Sequence, residues 1–402
     1  MHAPLTVESG KRARVVSLRG WVRQLHLWLG LSLGALLVLL GLTGSALVFY
    51  QDIDGWLHPE VRSRSAGPGP GWTDPVWDRA LATVRGRWPE RQGAWRFEAT
   101  DGAGPIPARY LPLRHEHTDR MVMVWLSPDG RQVLREAEWG TYAMTWLYDL
   151  HMALLAGETG QTVVGGAGLV LLLLLLSGLW AWWPKGRFRP ALHFKRGAAA
   201  VRRLHDLHKW AGLVSLPLLL MLTVTGVMLA LPQPSNALLV ATVGPVSRVV
   251  PPPVVGAAQP PIPLAQALQA AHRVMPQARL AWMEAPGPGR GAYMVRVQQP
   301  GDPSRRFPHS YVWVHPATGA VLAVQDRERF GASNVVNNWL HPLHDASVGG
   351  GPLRALVALT GLFPAALFVT GLLRWRLRRL PRRHDRLSVR PSGPLTIDPR
   401  VP

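Results

Sequence analysis

Four long uncharged stretches constrain this 402-residue chain more than any motif does. Residues 24–51, 159–184, 210–247 (apolar over 210–231) and 355–373 contain no Asp, Glu, Lys or Arg. At about 1.5 Å of rise per residue, about 20 apolar residues cross the roughly 30 Å of hydrocarbon in a bilayer. All four stretches reach that length, the last narrowly. The expected fold is therefore integral membrane α-helical, a four-helix transmembrane bundle. The first stretch is too long for the apolar core of a signal peptide, and no A-x-A cleavage site follows it.

Charge orients the spans. The chain carries 44 Lys+Arg against 24 Asp+Glu, a formal net charge of +20. Residues 1–23 hold five basic residues and one acid, residues 185–209 hold eight and one, and the tail from Arg374 holds nine and two. The two long intervening segments are closer to balance: 52–150 has twelve Arg and fourteen acids, and 233–343 has nine Arg and four acids. The positive-inside rule places the three basic pieces in the cytoplasm and the two long segments outside. The basic excess is then a topology signal, and no nucleic-acid partner is expected. The lipid bilayer is.

The two halves repeat. Leu25-His26-Leu-Trp28-Leu-Gly30-Leu31 aligns with Leu207-His208-Lys-Trp210-Ala-Gly212-Leu213, and Thr43-Gly44 aligns with Thr225-Gly226. Leu150-His151, Gly168, Gly178 and Trp182 align with Leu343-His344, Gly361, Gly371 and Trp375. In the outer segments, Val124-Trp125-Leu-Ser-Pro128 aligns with Val312-Trp313-Val-His-Pro316, followed by Val133-Leu134 and Val321-Leu322. Upstream, amphipathic stretches at 74–88 and 263–275 each end near a Pro. Each outer segment reads as a helix followed by antiparallel strands, a small α+β unit. Both halves start on the same side, so the internal repeat is parallel.

Six of the fifteen His lie at span ends: His26, His151, His205, His208, His341 and His344. Ionisable groups at membrane depth point to function. The repeat selects one per span. Topology pairs His26 with His208 near the cytoplasmic face and His151 with His344 near the outer face. Two imidazoles from different helices at one depth suit axial ligation of a non-covalent b-type haem. Two haem b are expected, with His26, His208, His151 and His344 as iron ligands. His205 and His341, each three residues earlier on the same helix face, are the alternates. A non-haem metal site and polar helix packing are the competing explanations. A straight helix would put His151 about 40 Å from Gly178; a break near Gly157–Gly160 or intervening rings would shorten the gap between the two sites.

The chain has no Cys, which excludes disulfides, iron–sulfur clusters, thiol nucleophiles and covalent c-type haem. There is no phosphate-binding glycine loop, dinucleotide fingerprint, H-E-x-x-H or G-x-S-x-G motif. An electron source is therefore expected from another protein or a lipid quinol. His115-Glu-His117 and Arg305-Arg306 read as solvated surface, Trp180, Trp182, Trp183 and Trp375 as interfacial aromatics, and 248–263 as an extended linker.

Taken together, these motifs resemble the PepSY-associated transmembrane-helix family of bacterial inner-membrane proteins. The carrying residues are those above together with Gly157-Glu-Thr-Gly160, Ser177-Gly178-Leu-Trp180-Ala-Trp182-Trp183-Pro184, Leu340-His341-Pro-Leu-His344 and the hairpin around Pro316 and Gly319. The resemblance implies two small α+β, PepSY-like periplasmic domains. In its siderophore-reductase members it implies two b-type haems in a four-helix bundle. The expected organisation is a cytoplasmic N-terminus (1–23), spans at 24–51, 148–184, 205–232 and 339–376, PepSY-like domains at 52–147 and 233–338, a cytoplasmic loop (185–204) and a cytoplasmic tail (377–402). The expected function is an inner-membrane dihaem cytochrome. It passes electrons from a cytoplasmic reductase or quinol to a periplasmic acceptor, a ferric siderophore releasing iron(II). A non-redox protein binding a periplasmic peptidase and a siderophore or metal transporter are the rivals.

Overall fold

The computed structural model describes residues 17–62, 67–113, 121–254, 260–288 and 291–379. His115-Glu-His117 lies outside the described residues. In chain order the helices are Leu18–Leu47 (α1), Tyr50–Leu57 (α2), Val76–Arg87 (α3), Ala143–Ala153 (α4), Gly157–Trp182 (α5), Phe188–Leu192 (α6), Ala200–Ala230 (α7), Pro232–Thr242 (α8), Leu264–Val274 (α9), Ala332–His344 (α10), Gly350–Thr360 (α11) and Phe363–Arg379 (α12). Among the described residues, four segments are long and apolar enough to span a membrane: α1, α5, α7 and Ser347–Arg379, which contains α11 and α12. Leucines such as Leu169, Leu173 and Leu176 on α5 stay exposed on the protein surface, as a lipid-facing helix requires. The Ser17 hydroxyl accepts from the Gly20 N–H at 3.3 Å and caps α1, which starts its helix ahead of the uncharged stretch.

The spans form a ring in which α1 and α7 each pack on both α5 and α12. Thus α1 and α7 face each other across the centre. The segments read as single spans over 148–184 and 339–376 are both broken. α4 ends at Ala153, and Leu154, Leu155 and Gly157 adopt left-handed backbone before α5 begins. α10 ends at His344, and Ala346 does the same before α11, whose first residue, Gly350, also has a positive φ of 62°. Side-chain-bearing residues pay roughly 1–2 kcal/mol for that conformation, so these turns are held by their surroundings. Each break directly follows a histidine selected by the repeat.

The remaining described strands build one antiparallel sheet of eight, in the order β4-β3-β2-β1-β5-β6-β7-β8. They are Ala94–Glu98 (β1), Ile106–Leu111 (β2), Val122–Leu126 (β3), Val133–Glu138 (β4), Arg279–Ala285 (β5), Tyr293–Gln298 (β6), Ser310–Val314 (β7) and Val321–Gln325 (β8). Each outer segment contributes a helix and four strands. The two sets are not separate sheets: β1 pairs with β5 in the register Trp95↔Ala285, Arg96↔Glu284, Phe97↔Met283 and Glu98↔Trp282. That pairing removes two edges that would otherwise expose unpaired backbone groups.

Strand alternation gives the sheet two unlike faces. Trp95, Phe97, Tyr110, Met283, Tyr293 and Val295 are buried beneath Trp77 of α3 and Leu264 and Leu268 of α9. The opposite face carries Arg109, Arg96, Glu284, Met294 and Trp313 in one cross-strand row, with Glu98, Trp282, Arg296 and Tyr311 in the next. Arg305 is engaged by Asp101, which also pairs with Arg279 at 3.4 Å.

Candidate functional site: two histidine pairs in the bundle

His26 on α1 and His208 on α7 meet at the end of the bundle away from the sheet, with ring centroids 6.2 Å apart and planes at 85°. His151 on α4 and His344 on α10 meet at the sheet end, with centroids 6.3 Å apart and planes at 43°. The four residues selected by the sequence repeat are therefore brought together in the expected pairs. The alternates form no such ring pair: His205 lines the same cavity as His26 and His208 and sits beside Asp206 at 3.5 Å, and the His341 ring packs on Phe307 at 4.9 Å.

Each ring is held in the same manner. His26 Nδ1 lies 3.0 Å from Ser177 Oγ, His151 Nδ1 3.0 Å from Thr43 Oγ1, His208 Nδ1 3.0 Å from Thr370 Oγ1, and His344 Nδ1 3.0 Å from Thr225 Oγ1. The direction of these bonds follows from what the hydroxyls already do. Thr43, Thr225 and Thr370 donate to the carbonyls of Leu39, Met221 and Ala366 at 2.8, 2.8 and 2.7 Å, and Ser177 donates to Leu174 O at 3.2 Å. A hydroxyl has one proton, so each must accept from the imidazole. A carbonyl agrees: Leu367 O lies 3.0 Å from His208 Nδ1. This sets the ring proton on Nδ1 and leaves Nε2 as the lone-pair nitrogen of each ring. A metal-ligating imidazole is oriented this way, its other N–H fixed by an acceptor.

A glycine follows each hydroxyl residue, giving Thr43-Gly44, Ser177-Gly178, Thr225-Gly226 and Thr370-Gly371. A Cβ at Gly44, Gly178 or Gly226 would fall 2.9, 3.0 or 2.9 Å from Cε1 of His151, His26 or His344. At Gly371 the distance to His208 Cε1 is 3.6 Å, ordinary contact. The hydroxyl takes the ring N–H and the glycine makes room for the ring edge. The Thr-Gly repeats were visible in the sequence as spacing markers. Their task, and the matching roles of Ser177 and Thr370, were not.

The spacing fits one metal per pair. An imidazole nitrogen binds a metal at about 2.0–2.1 Å. With the ring centre about 1.1 Å behind that nitrogen, two trans imidazoles on one metal have centroids about 6.3 Å apart. Among the described residues, no group of three or more His, Asp and Glu stands close enough to hold a metal ion. Each site consists of two imidazoles from different helices, 6.2 or 6.3 Å apart.

Between His26 and His208 opens a cavity of about 790 Å³, lined by Gly30, Gly34, Gly178, Gly212 and Gly371 together with leucines. Its size falls within the roughly 300–1,000 Å³ of cofactor sites. Arg23, Arg374, Arg378 and Arg379 stand at its mouth. Arg374 Nε is buried without a hydrogen-bond partner among the described residues. Lys209 is committed elsewhere, donating to Ala191 O at 2.9 Å and to the fully buried Asp206. The sheet-end pair is enclosed differently, beside an apolar cluster of Val48, Ala346 and Val357 with Phe49 and Leu222. Thr43 lies 17 positions beyond His26 on α1, so the two pairs are about 25 Å apart along the bundle.

Outside the membrane, burial pushes the Arg109 and Arg296 guanidinium groups below their usual range. Burial, with Arg296 nearby, lowers His309 to about 4.

Four membrane-spanning segments with a sheet-rich region attached define a multi-pass membrane protein. The family described as PepSY-associated TM region matches residues 23–378, most of the chain, and the chain belongs to that family. No curated protein matches it.

Proposed function

We propose that this protein is a dihaem b-type cytochrome of the bacterial inner membrane, with both termini in the cytoplasm and the sheet in the periplasm. It is built from a parallel internal repeat with two PepSY-like units. One observation carries the proposal: four imidazoles stand in two facing pairs, each with Nδ1–H tied down and Nε2 free, at a separation that one iron fits. His26 and His208 hold the cytoplasmic-side haem, and His151 and His344 the periplasmic-side haem. Haem b, when bound, supplies reversible one-electron chemistry at iron. The protein's own residues do the rest. Ser177, Thr43, Thr370 and Thr225 fix the tautomer and aim of each ligand. Gly30 and Gly212, where an added Cβ would meet only Leu174 at 3.8 Å and Leu367 at 3.7 Å, leave width along the cavity wall for a flat macrocycle, and Arg374 and Arg378 offer positive charge to carboxylates at the cavity mouth. The α4 and α10 breaks place the second pair on short helices beneath the sheet, close to a periplasmic acceptor.

By family resemblance the acceptor is a ferric siderophore, which holds iron(II) far less well than iron(III). The donor is a cytoplasmic reductase or a quinol. The test is reconstitution. Protein in sealed proteoliposomes, reduced from one side, is expected to reduce a ferric chelate presented on the sheet side, with iron(II) captured by a ferrous indicator. Purified protein that is colourless, or whose Soret and α bands do not respond to dithionite, would favour the peptidase-binding reading. Siderophore uptake without any reductant would favour transport.

A further inference from the structure

The sheet face turned towards the bundle carries a second cavity, of about 740 Å³, distinct from the space between the histidines. Its floor is the cross-strand pattern described above. Trp282, Tyr311 and Trp313 line it, and Tyr311 and Trp313 stack at 5.7 Å with planes 22° apart. Arg296 lies over Tyr311, its guanidinium carbon 4.9 Å from the ring centroid, and donates to the Tyr311 hydroxyl. Its Nε is buried with no hydrogen-bond partner among the described residues.

Charge in the cavity is unbalanced. Arg96, Arg248 and Arg296 line it with one carboxylate, Glu284, which Arg96 engages at 2.7 Å. That leaves Arg248 and Arg296 without an acid of their own in the lining. The rim is built. The Ser247 N–H donates to Asn334 Oδ1 at 2.8 Å, and Asn334 Nδ2 donates back to Ser247 O at 2.7 Å. The Val249 N–H donates to Gln325 Oε1 at 3.1 Å. Arg248, which the sequence placed in a linker without chemistry, is held at the entrance by these bonds on either side of it.

The opposite wall is α10. Asn334 and Asn337 line the cavity, and His341 and His344 follow on the same helix at the spacing of one face. Asn337 is seven residues, or about 10 Å, from His344. Trp282 also reaches towards the histidines, stacking on Phe307, which packs against His341.

We infer that this cleft binds a soluble, multiply charged anion with planar aromatic rings, such as an aromatic metal chelate. Arg248 and Arg296 pair with its charge, and the Trp313 ring, one face of which Tyr311 covers, offers its other face to the ligand's ring, with Trp282 and Tyr311 forming the aromatic wall beside it. As a binding site the cleft stands on its own geometry. As the place where the electron acceptor docks, it rests on the cytochrome reading.

The test uses full-length protein and a redox-inert probe, the gallium(III) complex of 2,3-dihydroxybenzoate, titrated by tryptophan fluorescence and by calorimetry. Saturable one-site binding is expected, and Arg296→Gln should weaken it about tenfold or more, the usual scale for a hydrogen bond to a charged group. Arg248→Ala, at an exposed position that leaves the packing intact, should weaken it several-fold. Trp313→Ala should weaken this probe but leave the weaker binding of ring-free gallium citrate unchanged. Absence of binding to the wild type, or equal binding to all variants, would overturn the assignment. So would complete displacement of the probe by anionic-lipid nanodiscs against zwitterionic ones, which would make the cleft a lipid headgroup site. Haem content is measured on the same samples. Protein that binds the probe but holds no haem refutes the cytochrome reading alone, and protein with two haems and no probe binding refutes the cleft alone.

Discussion

The two ends of the bundle hold their histidines by one device in two settings. At the end away from the sheet, the rings come from long spans, stand nearly perpendicular, and front a wide cavity ringed with arginine. At the sheet end they come from short helices, are tilted by 43°, and are followed by strained turns at Leu154, Leu155 and Ala346. The common element is the hydroxyl–glycine step on a neighbouring helix. The difference shows what each end needs. A span can carry a histidine near its own terminus. A histidine held beneath the sheet requires the chain to leave the span, and left-handed residues accomplish that turn.

The largest expected effect separates the ends outright. His26→Ala should lose the haem at the far end and keep the one at the sheet end, and His151→Ala the reverse, each lowering haem from about two per chain to about one. His205→Ala and His341→Ala should keep both. A His26→Ala protein with full haem content would break the pairing.

The glycines come next. Gly226→Ala pushes a methyl to 2.9 Å from His344 Cε1, whereas Gly371→Ala reaches only 3.6 Å from His208. Overpacking of this kind costs about 1–3 kcal/mol. Gly226→Ala should therefore weaken haem retention at the sheet end about tenfold in competition with apomyoglobin. Gly371→Ala should leave the far end unchanged. Equal effects would mean that the close approach at Gly226 is not what seats the ring.

Loss of a hydroxyl removes the acceptor for Nδ1–H without adding bulk. Loss of such a supporting partner lowers metal affinity about 10–100-fold. Thr43→Val should show this most clearly, because the Thr43 hydroxyl stands 3.0 Å from His151 Nδ1 with no carbonyl at that distance beside it among the described residues. Thr370→Val should be milder if the Leu367 carbonyl, 3.0 Å from His208 Nδ1, can act alone. Redox titration of each variant, with the bands of the two haems followed separately, gives the comparison.

The smallest effect concerns the strained turns. Leu155 is half exposed with φ 59°, so Leu155→Gly should raise stability by about 1 kcal/mol, read as a higher unfolding midpoint, with haem content unchanged. No change would mean that the turn carries no strain.

Much of this architecture was legible in the sequence because membranes impose a coarse rule and repeats a fine one. Uncharged length gave the spans, and the offset between His26 and His208, or His151 and His344, selected the facing residues over His205 and His341. The Thr-Gly steps were seen as markers but not as ring holders, since a hydroxyl's partner 108 or 119 positions away leaves no local trace. The signal was nonetheless present: Ser177-Gly178 and Thr370-Gly371 share the same hydroxyl-then-glycine order. The helix breaks were only partly visible. Gly157 marks the first, but Leu154, Leu155 and Ala346 are residue types that ordinarily avoid left-handed backbone. The continuous sheet was hidden for another reason. Pairing of β1 with β5 joins segments almost two hundred residues apart, and nothing within Ala94–Glu98 distinguishes an edge left to solvent from one paired with a distant strand.

The central claim is that four imidazoles hold two irons. Quantitative pyridine haemochrome analysis of folded, detergent-purified protein, produced with ample haem, tests it directly. The account predicts two haem b per chain, low-spin in both oxidation states, with two distinct ferric resonance signals from the 85° and 43° ring pairs. Folded protein containing no tetrapyrrole would contradict it.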